Sequence, residues 1–281
     1  MTLPVTAVVV DFHADEALVG CVRSLQANDV DRIVVVENGR PGSTSAYVDL
    51  DAVTLVEPGL NLGYGRGVNR GVAAEATNPY LLVANPDLIV HEGAVASMVA
   101  YLDEHAEVGV VGPTIERPDG SRYPSLRVFP NVWLAGAHAV LAPWWPGNPA
   151  TARYRAPRPD GTVDWVSGAC FLIRRSVLEA VGGFDERYFM FAEDMALCWR
   201  VWGAGWTVAA VPDAVVTHVE GLSRQRASRA MIVAHHQSAL RFEWQTARGW
   251  RRLLAPVASL VLGARLASML ALDSWTRRAR P

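Results

Sequence analysis

Lysine is absent: all 26 basic side chains among the 281 residues are arginine, a bias that carries no chemical conclusion by itself. Cysteine is scarce. Cys21, Cys170 and Cys198 are odd in number and form no CxxC pair, the pattern of unpaired, mostly buried thiols in a cytosolic protein rather than of a disulfide framework. The first residues lack a basic stretch followed by an apolar run and a cleavage site, and residues 5–10 are too short for a signal or a span. The body is therefore expected in the cytoplasm. No complete GxGxxG begins at Gly63 or Gly65, so the dinucleotide fingerprint fails. The net charge of −2 suggests no polyanionic partner.

What is present is a large apolar fraction, 51%, ample for a substantial core in one large domain or a domain with an appendage. The charge is unevenly placed. Residues 223–281 hold eleven arginines against Glu243 and Asp273, a balance of +9, which leaves −11 on the acidic remainder.

Residues 6–10, 32–36, 53–56 and 80–84 are short, β-branched apolar runs of the kind buried on both faces of a parallel sheet. Residues 15–26 follow the first with Leu18, Val22 and Leu25 on one helical stripe, and residues 67–76 and 91–105 also suit helices. Alternating strands and helices predict an α/β layer fold with a mostly parallel sheet. A further strand is expected at 108–111, one at 164–174, a short helix at 176–181, and two strands at 207–211 and 213–216. Residues 113–159, rich in Pro, Arg and Trp, have little periodicity and are expected to form a lid or acceptor-facing excursion.

In such sheets ligands bind beyond the carboxyl ends of the strands. Asp11-Phe12-His13, Glu37-Asn38-Gly39 and Asn85-Pro86-Asp87 all fall there. Between them lies Asn61-Leu62-Gly63-Tyr64-Gly65-Arg66-Gly67-Val68-Asn69, either a tight turn or a loop whose amides and Arg66 face a phosphate at a helix start. Glu193 and Asp194 follow an aromatic-rich segment and precede Leu197 and Val201 at helical spacing. They are either acidic residues in a helix's first turn or a carboxylate at the mouth of an apolar pocket acting as general base. His218 alone reads more readily as a core or surface histidine than as a ligand.

In order, these motifs resemble the inverting family 2 glycosyltransferases of GT-A fold, and within them the actinobacterial rhamnosyltransferase branch, over about residues 5–226. The resemblance rests on the Asn61-Leu62-Gly63 loop with Gly67 and Asn69, Asn85-Pro86-Asp87 in place of an Asp-x-Asp metal motif, Gly183-Phe184-Asp185-Glu186, and Glu193-Asp194. It implies a catalytic domain over 1–222, with a nucleotide-binding half to about 112 and an acceptor half beyond, followed by a helical extension over 223–281. It implies that Glu37 contacts the donor nucleotide, with Asp11, Asn61, Gly63, Arg66, Asn69 and Asn85 around the nucleotide-sugar. Asp87 and His218 would hold Mg²⁺ or Mn²⁺. Asp194 would be the base with Glu193 beside it, and Trp165 and Arg200 would meet the acceptor. The implied donor is dTDP-rhamnose and the acceptor a polyprenyl-diphosphate-linked N-acetylglucosamine; another UDP- or GDP-hexose, or a non-catalytic nucleotide-sugar-binding subunit, stays open. Asn85 replaces the first acid of the metal motif, so metal grip rests on fewer charges.

The tail reads separately. Residues 253–272 are apolar apart from Ser259, Arg265 and Ser268, and arginines flank them on both sides. A central Arg265 argues against a span and favours an in-plane helix on an anionic membrane surface. The protein is thus expected to be peripheral on the inner face of the plasma membrane. The alternative is a core-packing or dimerising helix, hence a possible homodimer. The tail lacks the interleaved aromatic and basic pattern of a nucleic-acid stacking platform, so no nucleic-acid partner is expected.

Overall fold

The computed structural model describes residues 2–39, 41–42, 53–75, 77–129, 141, 144–155, 162–219 and 229–278. Its centre is an eight-stranded sheet in the order β3-β2-β1-β4-β9-β6-β10-β5. The strands are β1 (Leu3–Asp11), β2 (Val30–Glu37), β3 (Thr54–Val56), β4 (Tyr80–Ala84), β5 (Leu88–Val90), β6 (Val108–Glu116), β9 (Cys170–Arg174) and β10 (Thr207–His218), with β7 (Leu126–Arg127) and β8 (Trp165–Val166) paired apart. The helices are α1 (Glu16–Ala27), α2 (Tyr64–Glu75), α3 (Ala94–Glu104), α4 (Pro149–Arg155), α5 (Arg175–Ala180), α6 (Glu193–Gly203), α7 (Arg229–Thr246) and α8 (Arg251–Arg278).

The expected buried runs form the centre. Val5 to Val10 on β1 and Val34 to Val36 on β2 are almost wholly inaccessible, as strands covered by helices on both faces must be. On one face α1 and α3 bury Leu18, Leu25, Val95, Met98 and Leu102. On the other, α2, α5 and α6 bury Val68, Val177, Leu178, Leu197 and Val201, and Phe242 of α7 joins them. Gly71 lets α2 approach the sheet, since a Cβ there would lie 2.6 Å from a methyl of Val8.

The sheet is mostly parallel, as expected, although β9 inserts antiparallel between β4 and β6 and β5 runs antiparallel to β10. Two expectations are corrected. The two strands expected over 207–216 are one, β10, carrying a bulge: Val211 faces Pro113, and the pairing resumes at Val215 opposite Thr114. Pro113 and Pro212 have no N–H to donate, so a break in the ladder falls naturally there. The strand expected over 164–174 is two, β8 and β9, separated where the Gly168 N–H leaves the ladder for Asp194. The excursion over 113–159 also holds more order than its composition suggests. β6 continues to Glu116, and β7 and α4 follow; residues 130–140, 142–143 and 156–161 lie outside the described residues. β5, whose three residues carry no periodicity, was not legible.

Candidate active site

Three strand ends and one helix start converge on the same edge of the sheet. Asp11 and Glu37 end β1 and β2 in register, both almost inaccessible. Asp11 accepts the Ala14 N–H at 3.0 Å. Asn38, the next residue, organises the neighbouring loop: its Oδ1 accepts the Leu62 N–H at 2.7 Å and its Nδ2 donates to Asn61 Oδ1 and to the Gly63 carbonyl. Asn61 Oδ1 in turn accepts the Gly63 N–H at 2.9 Å. Sequence reasoning placed Asn38 in a polar cluster without assigning it this role.

The start of α2 does not face open space. Helix geometry begins at Tyr64, earlier than expected, and the Tyr64 N–H donates to the Phe189 carbonyl at 3.0 Å. Arg66, expected at a phosphate, turns its Nε to the Glu186 carbonyl at 2.7 Å. Asn69 exchanges two hydrogen bonds with the Phe184 backbone, and Arg200 donates to the carbonyls of Val181 and Gly183. These three side chains anchor the segment 181–191, because its carbonyls have no strand or helix to pair with. Trp165, expected against an acceptor sugar, is buried, with its indole N–H on the Val128 carbonyl and Arg127 stacked over its ring at 5.1 Å.

Asp87 lies beyond β4, and its Oδ1 is 3.0 Å from Nε2 of His218, both groups buried. The antiparallel β5–β10 pairing, with His218 opposite Leu88, brings together residues far apart in the chain. His218 Nδ1 is buried without a hydrogen-bond partner. Among the described residues no group of three or more His, Cys, Asp or Glu converges. A carboxylate oxygen and an imidazole nitrogen suit a Mg²⁺ or Mn²⁺ ion that takes its remaining ligands from phosphate oxygens and water, so the residues present fit that role. Asn85 is half-buried, its backbone N–H on the Ala169 carbonyl and its own carbonyl accepting the Cys21 thiol.

Glu193 and Asp194 open α6, as expected, after two successive left-handed residues, Phe191 (φ 68°) and Ala192 (φ 61°). Such backbone persists only where the surroundings enforce it and is common at functional sites. Asp194 Oδ2 accepts the Gly168 N–H and Oδ1 the Met195 N–H, each at 2.7 Å. The Tyr64 hydroxyl donates to the Gly168 carbonyl at 2.6 Å, so one residue, Gly168, ties Tyr64 to the carboxylate. Glu193 is buried with Oε2 unpartnered. Burial and then the Asp194 charge push Glu193 up to about 8. Burial also raises Asp194, opposed by the Gly168 and Met195 N–H groups and by Arg127. Both carboxyls are thus pushed toward the neutral form, and the Gly168 and Met195 N–H groups are what support the charged form of Asp194. The same fields reach Tyr64, which burial, Glu193, Asp194 and Asp87 together hold well above the usual phenol range. The charges of the dyad and of Asp87 thus all reach Tyr64. Tyr64 and Arg127 carry no motif signal, and only the fold reveals them.

The family model described as "Glycosyltransferase like family 2" matches residues 3–234. The chain is 39% identical to the N-acetylglucosaminyl-diphospho-decaprenol L-rhamnosyltransferase of Mycobacterium tuberculosis, over 88% of this chain and 85% of that protein. Among solved structures it is similar to the mannosyltransferase PcManGT of Pyrobaculum calidifontis in complex with GDP-Man and Mn²⁺. The TM-score there is 0.61 at 17% identity, covering 100% of this chain and 82% of that one. It is also similar to GalNAc-T7 with UDP, GalNAc and Mn²⁺, with a TM-score of 0.60 at 14% identity, over 78% of this chain and 43% of that one. These likenesses show the GT-A fold.

Proposed function

The chain belongs to the family 2 glycosyltransferases, and from that premise we propose that it moves L-rhamnose from dTDP-rhamnose, with inversion, to an N-acetylglucosamine carried on a polyprenyl diphosphate. The observation that carries the reading is Asp194, a half-buried carboxylate held by two N–H donors beside the buried Glu193, at the same sheet edge as Asp87. The similarity to the mycobacterial rhamnosyltransferase supports the sugar and the acceptor class.

The acceptor hydroxyl must lose its proton as it attacks the anomeric carbon from the face opposite the leaving diphosphate. Asp194 takes that proton, and one base with one attack inverts the centre. Glu193, neutral, keeps a second negative charge away from the nucleophile. Asp87 and His218 would hold Mg²⁺ or Mn²⁺, which supplies neutralisation of the charge developing on the diphosphate. Asp11, Glu37 and the loop fixed by Asn38 line the donor side.

The tail fits a membrane-bound acceptor. The 21 residues from Arg251 to Ala271, whose most apolar 18-residue stretch has a mean hydropathy of 1.8, are long and apolar enough to cross a membrane by length and composition. Leu253, Val257, Leu260 and Val261 are exposed on one side of α8, beside Trp250 and Arg252. Apolar side chains flanked by Trp and Arg suit a helix lying in the interface of an anionic bilayer. The full chain is expected to co-sediment with phosphatidylglycerol vesicles, and Leu253→Glu with Leu260→Glu to weaken that partition at least about tenfold. Equal partition of the two proteins would refute membrane docking.

The donor is tested by calorimetric titration of dTDP, UDP and GDP into the wild type and Asp87→Ala, with and without Mn²⁺. Tight, metal-assisted dTDP binding that weakens in the variant is the expected result. A preference for UDP or GDP would keep the chemistry and overturn the sugar. No binding of any nucleotide would overturn the transferase reading.

A further inference from the structure

A cavity of about 380 Å³ opens between the 185–188 turn and α7, lined by Arg187, Gln237, Leu240, Arg241, Trp244 and Gln245. None of these residues belongs to the carboxylate site. Its polar lining is rich in donors. Asp185 grips Arg187 through Nε and one terminal nitrogen, which fixes the guanidinium and leaves further N–H groups for a ligand. The Tyr188 hydroxyl donates to Gln245 Oε1 at 2.7 Å, so Gln245 retains its amide N–H₂ as a donor. Arg241 is steadied 5.8 Å from the centroid of the buried Tyr188 ring. One wall is apolar: Leu240 and Trp244, whose indole N–H donates to Ser259 of α8 at 3.1 Å. Beyond Ser259, α8 exposes Leu260, Val257 and Leu253.

We propose that this cavity is a binding site for the diphosphate of an isoprenoid-diphosphate carrier, whose chain runs from Trp244 onto the apolar side of α8. The proposal deepens the lipid-linked acceptor reading and rests on it. Two planar guanidinium groups and an amide match the oxygens of a diphosphate, and a purely nucleotide ligand would have no use for the adjoining apolar helix. Arg187 and Tyr188 lie on the segment that leads into Glu193 and Asp194, so one short stretch of chain joins a carrier held there to the base. Such tethering lowers the entropic barrier to reaction. The site is separate from Asp87, so it binds without a divalent cation.

The test is calorimetric titration of the full chain with farnesyl diphosphate, inorganic pyrophosphate and farnesol in excess EDTA, which removes any metal-held diphosphate at Asp87. Farnesyl diphosphate is expected to bind at least about tenfold more tightly than either fragment. Arg241→Gln and Arg187→Gln, both at exposed side chains, are expected to weaken it about tenfold each while leaving nucleotide titration with Mn²⁺ unchanged. Arg241→Gln leaves the Asp185 grip intact and guards against a folding artefact. Unchanged farnesyl diphosphate affinity in the double variant would overturn the site. Equal affinity for pyrophosphate and farnesyl diphosphate would overturn its lipid part. Loss of nucleotide binding in the wild type, with farnesyl diphosphate still bound through Arg241, would sink the transferase reading and spare the site.

Discussion

Asp194→Asn is expected to lower kcat for sugar transfer by about 10²- to 10⁴-fold, the range that a positioned general base supplies. The amide nearly preserves shape but cannot accept the acceptor's proton. Nucleotide affinity is expected to stay within about twofold, because the donor side proposed above is built on Asp11, Glu37 and Asp87 rather than on α6. The pH profile sharpens the test. Burial raises Asp194, so the acidic limb of kcat in the wild type should lie at higher pH than an ordinary carboxylate would give. The sign follows from the role: a base works only when deprotonated, and a raised pKa delays deprotonation to higher pH. In the Asn variant that limb should vanish. A variant retaining more than half the wild-type rate, or an unmoved limb, would remove Asp194 from the chemistry and return it to capping α6.

Glu193 adds a stability signature. Its folded value of about 8 lies above the 4.5 of an unperturbed group, so the folded state holds the proton more tightly than the unfolded chain. The stabilising contribution is full below about pH 4.5, fades as pH rises, and is exhausted beyond about pH 8.

Gly63→Ala is expected to destabilise the fold by about 3 kcal/mol, combining a left-handed backbone strain of about 1 kcal/mol with severe overpacking. Gly63 has φ 82°, and a Cβ there would lie 2.1 Å from the Phe189 carbonyl oxygen. That carbonyl is backbone and already accepts the Tyr64 N–H, so it cannot yield cheaply. A fall in Tm of about 6–10 °C follows for a chain of this size. Activity should fall beyond the loss of folded protein, because pushing Phe189 displaces the segment that sets Phe191, Ala192 and the dyad. Gly59 is the control. Its φ is 79°, but a Cβ there would meet nothing within 4 Å, so Gly59→Ala should show the backbone strain alone, about 1 kcal/mol. Equal Tm shifts in the two variants would refute the Phe189 contact as the cause.

Local chemistry was enough to place the α/β class, β1, β2 and β4, the helix start at Glu193, and the polar clusters at strand ends. β-branched runs bury on both faces wherever they occur, and carboxylates favour a helix's first turn whatever surrounds them. The insertion of β9 antiparallel between β4 and β6 could not be read this way, because strand partners are chosen by packing across the whole chain. Nor could the meeting of His218 with Asp87, which depends on the β5–β10 register. The fold also gives Arg66, Asn69 and Arg200 hydrogen bonds to the carbonyls of the 181–186 segment, where irregular backbone needs donors, which no motif foretold. A motif specifies which side chains are available. Which of them face a ligand and which hold a loop in place is settled by where the backbone leaves hydrogen bonds unmade.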